Sequence, residues 1–188
     1  QNSIGADGFI LLCETPKKSS KPVVNYSFQA ASDSIGLTNQ SLYVMVYFNS
    51  DGNAASFCGN GSMCCAHFAA TLGLCPDDSG TGTFIHRNGL FSFNTNIKNR
   101  KTRISMVNVK DYDIDKEGIL IDTGSPHYVL FKSNLDTIDV NSEGQKIRYS
   151  SRFSAKGVNV TFASFIEDKL FIRTYERGVE RETLSCGT

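Results

Sequence analysis

Val44-Met45-Val46-Tyr47-Phe48 runs into Asp51-Gly52. Cys58-Gly59-Asn60-Gly61 follows, and then residues 62–72, which hold neither glycine nor proline. The first run reads as a strand, Asp-Gly as a turn, and 62–72 as a helix that starts directly after Cys58. The same order returns near the other end: Phe171-Ile172-Arg173-Thr174-Tyr175, then Arg177-Gly178, then Ser185-Cys186-Gly187-Thr188. Each cysteine is followed by glycine and a small polar residue. The repeat predicts a duplicated unit, with halves at 1–115 and 116–188 divided by the charged, turn-like stretch 111–118. Two matched thiols facing one pocket suit a reaction that takes a proton from one face of a carbon and returns one to the other.

The remaining elements follow from pattern. Phe9-Ile10-Leu11-Leu12-Cys13 is a short apolar run and reads as a buried strand. Residues 23–30 are expected to form a strand of an inserted hairpin within the polar stretch 14–40. Met63, Ala66, Phe68, Ala69 and Leu72 are available for the packed side of the 62–72 helix, and Gly73 is its stop. Phe84-Ile85-His86 and Leu90-Phe91-Ser92-Phe93 flank Asn88-Gly89, a hairpin signal. Strands are expected at 102–109, 119–121, 128–131, 157–165 and 168–175, with a short helix in 142–153.

Composition narrows the function classes. Hydrophobic residues make up 40% of 188, enough for a sizeable core. Nineteen basic and 19 acidic side chains cancel, which removes the bulk electrostatic case for nucleic acid or an anionic membrane. No apolar run approaches the ~20 residues of a membrane span. The six cysteines lack the paired spacing of a zinc site, Cys64 and Cys65 being adjacent. Reduced thiols in the cytoplasm are therefore expected, with no metal and no organic cofactor. Cys13, Cys64, Cys65 and Cys75 read as small buried hydrophobes.

A thiol titrates near ~8.5, and a helix N-terminus favours its thiolate. Gly59 and Gly61 let backbone N–H groups approach a ligand carboxylate at that helix start. In a two-base reaction one cysteine is thiolate and the other thiol, and turnover exchanges the roles. N–H donors at the helix ends stabilise the charge that builds as the proton leaves.

Six motifs occur in order: Gly5-Ala6-Asp7-Gly8; Tyr47-Phe48-Asn49-Ser50-Asp51-Gly52; Cys58-Gly59-Asn60-Gly61; Gly124-Ser125-Pro126-His127; Gly157-Val158-Asn159-Val160; and Tyr175-Glu176-Arg177-Gly178 through to Cys186-Gly187-Thr188. This set resembles the diaminopimelate epimerases, cofactor-independent enzymes that interconvert LL- and meso-diaminopimelate for lysine and peptidoglycan synthesis. The resemblance implies two pseudo-symmetric α/β halves, each a curled mixed sheet around a central helix, with the active site in the cleft. It implies Cys58 and Cys186 as the acid–base pair. Gly59, Asn60, Gly187 and Thr188 would hold the carboxylate and amine at the reacting centre. Asn49, Ser125, Asn159, Glu176 and Arg177 would read the distal amino acid end, and His127 would stand nearby. The implied partner is a small amino acid substrate, with a homodimer as the implied assembly.

The pattern departs at Ser125, where the family usually has asparagine, and at Met63, where it usually has arginine. The segments that open and close the family pattern have no counterpart, so the chain is expected to be part of a longer protein. Two other readings stay open: a related amino acid racemase with relaxed substrate choice, and a non-catalytic relative of the fold.

Overall fold

The computed structural model describes residues 8–14, 42–49, 52–75 and 79–188. Gly5, Ala6, Asp7, Ser50, Asp51 and the hairpin expected at 23–30 lie outside them. The chain divides into two compact units, whose described parts run to residue 106 and from 107 onward.

The first unit is a mixed sheet of β1 (Gly8–Glu14), β2 (Tyr43–Asn49), β3 (Thr81–His86), β4 (Gly89–Asn96) and β5 (Lys101–Ile104), in that order. β2 and β3 are parallel, and every other neighbouring pair is antiparallel. A parallel pair needs a crossover, and α1 (Gly59–Thr71) supplies it. Gly73, at φ +72°, ends the helix as expected. The β3–β4 hairpin closes through Arg87-Asn88, with Gly89 already paired to His86.

The packed face of α1 differs from the expected one. Gly59, Ser62, Cys65, Ala66, Ala69 and Ala70 are buried, while Phe68 and Leu72 are 56% and 54% exposed. Small side chains let the helix backbone approach the sheet, so the bulky residues face out. The aromatic layer comes from the strands instead. Tyr43 stacks on Phe84 at 5.3 Å, Phe84 on Phe91 at 5.4 Å, and Phe57 on Phe91 at 4.5 Å between ring centroids. Each such ring contributes about 1.5–3 kcal/mol by leaving water.

The second unit is a mixed sheet in the order β11 (Arg181–Glu182), β10 (Lys169–Glu176), β9 (Asn159–Ile166), β8 (Pro126–Phe131), β7 (Ile119–Asp122) and β6 (Tyr112–Ile114). Here β8 and β9 are parallel, joined across α2 (Val140–Arg148). The charged stretch at 111–118 thus holds a strand of this sheet, paired with β7. The strand expected at 102–109 stops at Ile104. α2 packs on β9, β10 and β11 over a core of Tyr128, Leu130, Val140, Val158, Val160, Phe162 and Tyr175. Residues 159–164 of β9 are buried on both faces, as suits an interior strand beside a parallel neighbour. Gly144 permits the close approach of α2, because a Cβ there would lie 2.4 Å from Tyr175 Cβ.

Both units are thus curled mixed α/β sheets with a helix crossing between their parallel strands.

Candidate active site

Cys58 is the N-cap of α1, with extended backbone (φ −117°, ψ 105°). Its Sγ accepts the Gly61 N–H at 3.3 Å, as a capping oxygen would. Its carbonyl accepts both the N–H and the hydroxyl of Ser62, each at 2.8 Å. Gly61 leaves room for this arrangement: a Cβ there would sit 2.6 Å from Ile10 Cδ1 and 3.2 Å from Cys58 Sγ. Gly59 and Asn60 are the first two helical residues, and no acidic side chain stands in the first turn. The positive helix end therefore has no built-in carboxylate neighbour on its own helix. Asn49 closes β2, and its carbonyl accepts the Gly52 N–H at 2.9 Å.

Cys186 has side-chain company instead. Its Sγ lies 3.9 Å from His127 Nε2 and 3.3 Å from Thr188 Oγ1, and those two atoms are 2.9 Å apart. Asn159 Nδ2 reaches Ser125 Oγ at 2.8 Å, the Pro126 carbonyl at 3.2 Å and His127 Nε2 at 3.3 Å. Asn159 Oδ1 accepts the Arg177 N–H at 2.8 Å, which fixes the orientation of the amide. Glu176 Oε1 accepts the Thr183 hydroxyl at 2.6 Å. Ser125, Asn159, Glu176, Arg177, Cys186 and Thr188 therefore stand together, with Gly187 half-buried between the last two.

Burial pushes the Cys186 thiol above its usual range. Thr188 opposes this through its hydroxyl and N–H, and the Glu176 carboxylate adds to it. Burial lowers His127 to about 4, so its ring is neutral at pH 7. Nε2 then accepts from Asn159, and Nδ1–H points to Thr161 Oγ1 at 3.0 Å. Thr161 in turn meets Thr174 Oγ1 at 3.1 Å. Sequence reading missed Thr161, Thr174 and Thr183. The signal for Thr161 was present, since Asn159 and Thr161 are two apart on one strand and share a face.

The two cysteines follow the same local backbone design. Phe48 pairs with Ala54, and Tyr175 pairs with Glu182, each cysteine lying four residues after the returning partner. The Ala55 N–H donates to the Tyr47 carbonyl at 2.9 Å, and the Thr183 N–H to the Thr174 carbonyl at 3.1 Å. Each turn holds a glycine at positive φ, Gly52 at +80° and Gly178 at +92°.

A cavity of about 650 Å³ beside the outer face of α1 is lined by Met63, Cys64, His67 and Phe68 with Arg100 and Lys101. It includes none of the expected site residues.

No family model matches the chain. Curated proteins do. The chain is 44% identical over 147 residues to the diaminopimelate epimerase of Flavobacterium psychrophilum, covering 78% of the chain and 56% of the relative. The belonging does not rest on that stretch alone. The enzyme of that name from Aquifex aeolicus is 33% identical over 191 residues, covering 98% of the chain and 61% of the relative. That from Chlorobaculum tepidum is 33% identical over 199 aligned positions, covering all of the chain and 66% of the relative.

The chain belongs to the diaminopimelate epimerase family.

It spans 56% to 66% of the length of these relatives. Against the usual family pattern, Ser125 is buried and its hydroxyl accepts from Asn159, so a short side chain stands where the family usually carries an amide. Met63, at the usual arginine position, lines the cavity on the outer face of α1.

Proposed function

We propose that the protein containing this chain is a cytoplasmic, cofactor-independent epimerase that interconverts LL- and meso-diaminopimelate for lysine and peptidoglycan precursor synthesis. Residues 1–115 and 116–188 would be its two epimerase halves, and the active assembly a homodimer. The observation that carries the reading is the shared backbone design before Cys58 and Cys186, each cysteine set among residues that suit proton transfer.

Cys58 is the resting base in this reading. An accepting sulfur at a helix N-terminus is where a thiolate is favoured. It takes the α-proton, and the electron pair moves onto the α-carbon and its carboxylate. Cys186 gives its proton to the α-carbon. The products are the inverted centre, a Cys58 thiol and a Cys186 thiolate, so the next turnover runs in reverse. Cys186 suits the acid role because burial holds its proton at neutral pH. Gly59, Asn60, Gly187 and Thr188 bind the reacting amino acid end. Arg177 binds the distal carboxylate, Glu176 the distal ammonium, and Asn49, Ser125 and Asn159 complete that end.

The test is the whole protein in deuterated water with LL-diaminopimelate. Deuterium should enter the α-position as meso product forms, without added pyridoxal phosphate and with chelator present. Activity lost to chelator, or dependent on pyridoxal phosphate, would overturn the reading. The short Ser125 side chain favours a second reading, in which amino acids with a shorter distal end are also turned over.

A further inference from the structure

Arg148 is the last residue of α2, and its guanidinium is in an unusual position. The side chain is 14% exposed, and Nε and Nη1 are buried with no hydrogen-bond partner. Nε lies 3.5 Å from Glu180 Oε1, near enough for an ion pair but not aligned for a hydrogen bond. The guanidinium also lies over the Tyr149 ring, 4.7 Å from its centroid.

Glu180 spans the turn that carries Glu176 and Arg177. Its Oε1 accepts the Gly178 N–H at 3.0 Å, and its Oε2 accepts the Tyr175 hydroxyl at 3.1 Å. Arg148 pairs with that carboxylate, and the charge of Arg177 also feels it. Gly157 links Arg148 to Arg177 from below. A Cβ on this glycine, whose φ is +73°, would lie 2.5 Å from Arg177 Cδ and 2.9 Å from Arg148 Cζ. Both arginine side chains thus rest against one glycine. Arg177 is itself partly immobilised, its Nη1 donating to the Lys156 carbonyl at 2.9 Å.

Two neighbouring guanidiniums repel, and buried donors without acceptors destabilise the fold. A packed apolar side chain at position 148 would avoid both penalties. Local conflicts of this kind concentrate where a protein orients a functional group.

We infer that Arg148 is a positioning residue for Arg177: it anchors the 176–180 turn through Glu180, and its charge keeps the Arg177 guanidinium from folding back onto α2. The inference rests on the reading of Arg177 as the group that binds the distal carboxylate.

The experiment is a double-mutant cycle on the whole protein, with diaminopimelate and with an amino acid lacking the distal carboxylate. Arg148→Met should raise KM for diaminopimelate about tenfold, close to 1.4 kcal/mol, with kcat within about twofold. Arg148→Lys should restore part of the loss. In an Arg177→Ala background Arg148→Met should change KM by less than about twofold, because the group it positions is gone. An equal effect in both backgrounds, or on both substrates, would overturn the inference and make Arg148 purely structural. Should Arg148→Met not fold, Glu180→Gln keeps size and shape, and the same cycle decides with it. Wild-type protein that does not turn over diaminopimelate would instead overturn the functional reading itself.

Discussion

Cys58 and Cys186 share a backbone approach and stand in different surroundings. Cys58 Sγ accepts an N–H of its own helix three residues on. Cys186 is met by side chains, His127 and Thr188, with Glu176 close enough to raise its proton affinity. Burial raises the proton affinity of Cys186, whereas Cys58 caps a helix N-terminus, a place that favours thiolates in general. The proposed two-base reaction would need two unequal thiols in its resting state, and these unequal surroundings support that reading.

Loss of either cysteine is the severest test of the pairing. Cys58→Ala or Cys186→Ala in the whole protein should each lower the rate of LL-to-meso conversion by at least about 10²–10⁴-fold, since each removes a proton carrier. Cys64→Ala, on the exposed side of α1, should leave the rate within about threefold. Equal damage from Cys64→Ala would break the assignment to Cys58.

In the proposed reading, distal recognition belongs to the Cys186 side. Arg177→Ala should lower kcat/KM for diaminopimelate about a hundredfold or more, as two charged contacts contribute roughly 1.5–3 kcal/mol each. A substrate without the distal carboxylate should lose little. Comparable losses on both would show that Arg177 supports the turn rather than the ligand.

Each unit also buries one histidine, and here the two sides should behave alike. His86 and His127 are both lowered by burial to about 4 from an ordinary 6.5. Above pH 6.5 both are neutral folded or unfolded, so their burial carries no proton penalty. Between 6.5 and 4 the unfolded chain binds more protons, and stability falls by about 3 kcal/mol per histidine. Below 4 this loss levels off. Urea unfolding at pH 7 and pH 4.5 should show it, and His127→Asn should remove the second unit's share. An unchanged difference in that variant would mean that His127 does not titrate in this window.

The smallest effect concerns Ser125. Ser125→Asn should raise the ratio of kcat/KM for diaminopimelate over glutamate by a few-fold, because an amide reaches farther and offers an extra donor. A ratio that stays constant would count against the relaxed distal end.

Local pattern was legible where local physics decides. The strand Tyr43–Asn49, the helix start after Cys58, the stop at Gly73 and the hairpin at Asn88-Gly89 all follow from side-chain shape and backbone preference. The inner face of α1 was not legible, because its burial follows closeness to the sheet rather than hydrophobic bulk. Phe68 and Leu72 look like core and are exposed, while Ser62 is fully buried with its hydroxyl bonded to the Cys58 carbonyl.

Family resemblance, the richness in strands and the neighbours of each cysteine can be read along the chain, since they depend on ordered motifs and adjacent residues; the α/β halves came with the resemblance. Which residues meet depends on how the chain packs. His127 and Thr188 are 61 positions apart, and Arg148 and Glu180 are joined only because α2 packs across β10 and β11. A chain can state which groups it carries, but proton affinity and orientation depend on burial and on partners. Those are set by sheet register and helix packing at separations over which local sequence carries no signal.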